Sequence, residues 1–137
     1  MRNFELKKFE SIVGKQDFYD LKINGLSQYE EFNKIINTDY LAYKTEVFTM
    51  FSYMDLVSNL KTLPKTKFRE ITPKKENIKE YEIKSKHIRV YLFHVENSGK
   101  IVAYWGLKKN QKENIISFRK IKKEYIDQLN KWKEKNF

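Results

Sequence analysis

The sequence predicts an α+β fold: a small antiparallel sheet, wound as a meander, packed against N-terminal helices and a C-terminal amphipathic helix. Three observations predict it. From Tyr81 to Lys112, two apolar runs rich in β-branched and aromatic residues flank Asn97-Ser98-Gly99, with a strand-like piece before them and lysines after. Such residues suit a pleated, half-buried surface, and Asn-Ser-Gly supplies a turn that tolerates positive φ. From Asn114 to about Lys135, Phe118, Ile121, Tyr125, Leu129 and Trp132 step by three or four along one helix face, while Lys120, Lys123 and Lys131 point elsewhere. Finally, Tyr40 to Leu60 is the most apolar segment of the chain.

The remaining elements follow in order. Phe4 to Phe9 and Phe18 to Ile23 alternate in part, with Gly14-Lys15-Gln16-Asp17 between them, which reads as an N-terminal hairpin. Asn24-Gly25 breaks that pattern. Ser27-Gln28-Tyr29-Glu30 fits a capping box opening a helix from Ser27 to about Ile36, with Asn37-Thr38-Asp39 ending it. If Tyr40 to Leu60 is helical, Glu46, Thr49, Ser52, Asp55 and Asn59 form one narrow polar stripe and the rest is apolar. Such a helix is buried on several sides, either as a central core element or as one that also gives a face to a partner. Leu63-Pro64 closes it. Residues 61–80 form a long, lysine-rich connection whose Phe68-Arg69-Glu70-Ile71 run reads as a short edge strand or a flap. The sheet comprises Glu80 to Lys84, Ile88 to Val95 and Ile101 to Leu107. In its middle strand Ile88, Val90, Leu92 and His94 share one face, and Arg89, Tyr91, Phe93 and Val95 the other.

The totals narrow the function classes. At 137 residues the chain reads as one domain, 1–137, able to bury roughly two-thirds of its unfolded surface. The absence of Cys excludes disulfides and thiolate metal sites, and two histidines seven residues apart make no metal site, so neither a metal nor another cofactor is expected. No apolar run reaches the about 18 residues of a membrane span, and MRNFELKKFE lacks a signal-peptide core. A soluble, cytoplasmic protein without a membrane partner is expected. The charge is asymmetric. Residues 1–60 carry seven Lys/Arg and nine Asp/Glu, net −2, whereas residues 61–137 carry twenty-one and nine, net +12. A basic half of that size is the footprint of a polyanion binder, although a lysine-rich solvated surface has the same composition.

Residues 81–125, with YEIKSKHIRVYLFHV, then KIVAYWGLKKNQK, then FRKIKKEY, resemble the RelE/HigB superfamily of type II toxin–antitoxin toxins, closest to its phage-derived HigB-like branch. Members of that family also place a strand and two helices before the sheet. The resemblance implies a RelE-like fold and a metal-independent mRNA endoribonuclease working on the ribosome, where a ribose 2′-hydroxyl attacks the neighbouring phosphate. It implies a cognate antitoxin as protein partner, with a dimer or a toxin–antitoxin hetero-oligomer as the assembly. Such chemistry needs a base for the 2′ proton, a cation for the charge building on the phosphate and an acid for the leaving oxygen. The implied catalytic residues are Arg89, Lys108, Lys109 and His87, and the implied RNA contacts are Lys84, Lys86, Lys112, Arg119, Tyr91 and Tyr104. A crowded lysine can itself serve as base, because clustered cations depress one another's pKa.

Each of these has an ordinary alternative. Arg89 can be a planar phosphate clamp or a strand-to-strand ion pair with Glu80 or Glu82. The three lysines after the last strand can converge on a phosphate or line a solvated turn. Tyr91 and Tyr104 can stack a base or pack in the core, and His94 reads as a satisfied, partly buried histidine. Two rival functions keep much of the same reading. One is a ParE-like toxin that poisons gyrase by binding, and the other is a non-enzymatic RNA- or DNA-binding domain.

Overall fold

The computed structural model describes residues 2–137. Strands β1 (Phe4–Lys8) and β2 (Phe18–Ile23) form the expected hairpin, paired from Phe4↔Ile23 to Lys8↔Tyr19. Asn24 and Gly25 turn the chain at φ 51 and 81 so that β3 (Leu26–Ser27) folds back on β2. Ser27 then caps α1 (Gln28–Asp39), its hydroxyl accepting the Glu30 amide at 3.0 Å and donating to the Asp20 carboxylate. Asp20, on β2, also accepts the Tyr29 amide at 3.2 Å, so a residue from the neighbouring strand joins the cap. Burial raises the Asp20 carboxyl above its ordinary range, although both hydrogen bonds oppose that.

A 3-10 turn at Leu41–Tyr43 leads into α2 (Lys44–Ser58). Of the two readings of the 61–80 connection, the edge strand is the one observed: β4 (Phe68–Glu70) pairs antiparallel with β5 (Glu80–Lys84). Strands β6 (Ile88–Val95) and β7 (Gly99–Leu107) complete the meander, and α3 (Gln111–Asn136) ends the chain.

The sheet is larger than the small antiparallel meander that the sequence predicts, and it is mixed. Among the described residues its order is β1-β2-β7-β6-β5-β4, with β3 beside β2, seven strands in all. The exception to antiparallel pairing is β2 on β7, which runs parallel from Phe18↔Lys100 to Asp20↔Val102. A parallel neighbour requires a long crossover, and α1, α2 and the first three meander strands supply it. Phe18 and Leu21 point to opposite faces of β2 and are both fully buried, so this strand could not remain on a separate hairpin.

Helices cover both faces of the sheet. On one face Phe32 and Ile36 of α1 and Val47, Met50 and Met54 of α2 pack on Ile83, Ile88, Val90, Leu92, Val102 and Trp105. On the other, Phe118 and Ile121 of α3 pack on Leu21, Tyr91, Phe93, Ile101 and Ala103. The predicted parity of β6 matches this division. A bulge between Tyr91 and Leu92, paired with Tyr104 and Val102, leaves Ala103 as the extra residue of β7. At Gly106 a Cβ would stand 2.3 Å from the Asn114 side chain, so β7 and the start of α3 meet closely.

Two helical expectations need correction. Helix α2 is not buried on several sides: Val47, Met50, Met54 and Val57 face inward, but Phe48 is 65% exposed. The sheet and α1 cover one side of the helix, and nothing among the described residues covers the other. The stripe of α3 overshoots the sheet, leaving Trp132 55% exposed, while its N-terminus begins three residues earlier than Asn114. Among the described residues no helix is long and apolar enough to cross a membrane. One-sided burial of α2 predicts that Met54→Ala costs about 2–5 kcal/mol. Phe48→Ala should stay within about 0.5 kcal/mol. Urea denaturation of the two variants checks the contrast.

Candidate functional site

The polar groups gather where β6 begins and β7 ends. Pairing of Ile88 with Leu107 brings the turn before β6 against the residues after β7, so the Lys108 amide donates to the His87 carbonyl at 2.8 Å. The first turn of α2 crosses this end of the sheet. Its Glu46 accepts the His87 amide at 2.7 Å and the Ser85 hydroxyl at 2.5 Å through Oε1, while Oε2 lies 2.7 Å from His87 Nδ1. The His87 ring stacks on Tyr43, centroids 4.1 Å apart and planes 8° apart, and Tyr43 stacks in turn on Tyr40. Lys109 Nζ donates to the Tyr40 hydroxyl at 3.2 Å and sits over its ring. Tyr40, Tyr43, His87, Leu107, Lys108 and Lys109 thus enclose a cavity of about 250 Å³.

The electrostatics suit proton and phosphate chemistry. Burial alone would raise the Glu46 carboxyl, but hydrogen bonds from Ser85 and from the amide and ring of His87 hold it below its ordinary value. A carboxylate on Nδ1 directs the imidazole proton there and leaves Nε2 to take up or return a proton. On the adjacent strand, burial lowers the Lys84 amine, and the charges of Arg69, Arg89 and Lys108 lower it further against the opposing Glu82.

The structure brings His87, Lys108 and Lys109 together at one cavity, whereas Lys84 pairs with Arg89 and shares its α3 face, and Lys86 is exposed on the turn before β6. It does not bring Arg89 to that surface. Arg89 is 6% exposed and lies on the α3 face, where Nη1 donates to the carbonyls of Ser85 and Ile88. Nor does it pair with either glutamate. Glu82 takes Arg69 Nε at 2.8 Å and Gln111 Nε2 at 2.7 Å, and Glu80 takes Arg119 and Lys122. Arg89 holds the β5–β6 turn from behind instead of presenting a fork to a ligand, because α3 covers the face to which strand parity assigns it.

The other expected RNA contacts also separate. Arg119 is held by Glu80 and by the Ile71 carbonyl, both at 2.9 Å, so it ties α3 to the sheet. Tyr91 is fully buried against Phe118, where no base can reach it; burial and the nearby Glu82 push its phenol well above its ordinary value. Tyr104 is half-buried on the same face and lines a different cavity beside Arg2 and Lys120. Lys112 is exposed in the first turn of α3.

Four contributors escape a reading of the sequence: Glu46, Ser85, Tyr40 and Tyr43. Glu46 belongs to the polar stripe of α2, and its position in the first helical turn is the signal that sets it apart, since that turn reaches the sheet end. Comparison with family models, with curated proteins and with solved structures finds no match to this chain.

A carboxyl held below its ordinary 4.5 stabilises the fold above that pH, and the contribution is lost as the pH falls through the lowered value. Wild-type protein should therefore lose stability more steeply below about pH 4.5 than Glu46→Gln, which lacks this titration. Urea midpoints measured between pH 3 and 6, about the range in which carboxyl groups titrate, compare the two slopes.

Proposed function

We propose that this chain is a RelE/HigB-like toxin, a metal-independent endoribonuclease that cleaves mRNA on the ribosome through 2′-hydroxyl attack. The observation that carries the reading is the meeting of His87, oriented by Glu46, with Lys108 and Lys109 around one cavity. Two helices preceding an antiparallel meander that a basic helix follows support the reading, although three strands, not one, precede the helices and the meander has four strands.

In this reading His87 Nε2 exchanges the proton of the attacking or leaving oxygen, and Glu46 stabilises the imidazolium that forms. Lys108 and Lys109 meet the charge developing on the phosphate oxygens. Tyr40 and Tyr43 offer aromatic faces at the mouth of the cavity for an unstacked base. Arg89 acts as a positioning residue, fixing the turn that carries His87. A cognate antitoxin that covers this basic end, within a hetero-oligomer, completes the proposal.

Induced expression should arrest growth, with cleavages phased to ribosomes in primer extension on cellular mRNA. His87→Ala, or Lys108→Ala with Lys109→Ala, should slow cleavage by roughly 10²- to 10⁴-fold and restore growth. Normal growth with soluble wild-type protein would overturn the reading. An SOS response without cleavage would favour gyrase poisoning, and salt-dependent RNA binding without new ends would favour a non-enzymatic binder.

A further inference from the structure

The opposite end of the same sheet, roughly 20 Å away along β6, holds a second group of cations. There β6 and β7 meet at the pairs His94↔Lys100 and Val95↔Gly99. Lys100 is 6% exposed, and its ammonium touches only neutral groups: Gln16 Oε1 at 3.0 Å, His94 Nδ1 at 3.4 Å and the face of Tyr81 at 5.1 Å. No carboxylate lies within ion-pair distance of it among the described residues. The contrast is Lys122, equally buried at 4% exposed, which is met by Glu80 at 2.8 Å. A buried charge ordinarily has such a partner, and Lys100 lacks one.

The surroundings increase the imbalance. Lys100 and His94 line a cleft of about 680 Å³ with Lys79 and Lys133 on its rim and, among the described residues, Glu96 as the sole carboxylate of its lining. Because Nδ1 of His94 accepts from Lys100, the ring proton belongs on Nε2, which adds another donor. Burial lowers the Lys100 amine. Burial, then the charges of Lys100 and Lys79, lower His94, with Glu96 opposing.

We infer that this cleft is a binding site for a compact oxyanion, a phosphate group, which supplies the counter-charge that Lys100 lacks and accepts from the imidazole of His94. The phosphate can be free or part of a polynucleotide, and the site is independent of the catalytic reading of His87. Its residues lie on the opposite end of the sheet, and neither strand end depends on the other for its charges.

The chain has two histidines, so two ring Cε1–H resonances, one from each, can be followed by NMR. Inorganic phosphate and sulfate are titrated against the full chain at ionic strength held constant with chloride. The expected result is that either anion raises the His94 midpoint toward its ordinary 6.5, a movement read independently of any response at His87. Lys100→Met should abolish the response. Lys79→Ala, which removes an exposed charge and should leave folding intact, should weaken binding roughly two- to fivefold. No movement of His94 with phosphate, sulfate or RNA in folded wild-type protein, or an unchanged response in both variants, would overturn the inference. A single-stranded RNA oligonucleotide forms the second arm: movement of His94 with RNA but not with phosphate or sulfate assigns the phosphate to a polynucleotide backbone.

Discussion

Burial of β6 on both faces is the constraint on which the other placements depend. Ile88 through Phe93 are all buried, so alternate residues enter one of two separate interiors, one roofed by α1 and α2 and the other by α3. A strand of this kind leaves no solvent face for a charged side chain. Charged groups along the central strands must therefore be paired inside or held at the strand ends. Glu80 and Glu82 are nearly inaccessible and take their partners from α3, β4 and the first turn of α3. These pairs, whose removal would leave uncompensated buried charge, fix the register of α3 on the sheet.

The same constraint sends the chemistry to the sheet ends. At one end the first turn of α2 brings a carboxylate, and the segment just before it two tyrosines, to the loop carrying Ser85 and His87, while the residues just after β7 bring two lysines. At the other end a buried lysine faces histidine and amide partners. Each group is held by elements remote in sequence: Glu46 lies forty-one positions from His87, and Gln16 lies eighty-four from Lys100.

Local patterns revealed what local physics decides. The meander, the Ser27 cap, the hairpin and the alternation along β6 all follow from periods and turn residues, and the structure contains each of them. The parallel β2–β7 pairing has no such trace, since its hydrogen bonds join residues about eighty positions apart. Periodicity showed how narrow the polar stripe of α2 is, but not that one side of its apolar surface would stay uncovered. Arg89 illustrates the same boundary. Its face was legible from parity, yet its burial depends on where α3 lies, and that is decided by Gly106, Asn114 and the glutamates of β5.

The bulge at Ala103 has a consequence for how the gene can change length. Val102 and Trp105 are three positions apart and yet share the α1–α2 interior, while Ala103 and Tyr104 face α3. The extra residue absorbs the half-step between them. Loss of one codon at Ala103 would leave a regular strand with both ends still facing as they do now. Loss of Trp105 or Gly106 instead would turn over the residues between the bulge and the gap, Tyr104 first, and so disturb the packing on both faces. Within β7, the two cation-bearing ends are therefore joined at a point where evolution can shorten the chain without turning either of them over.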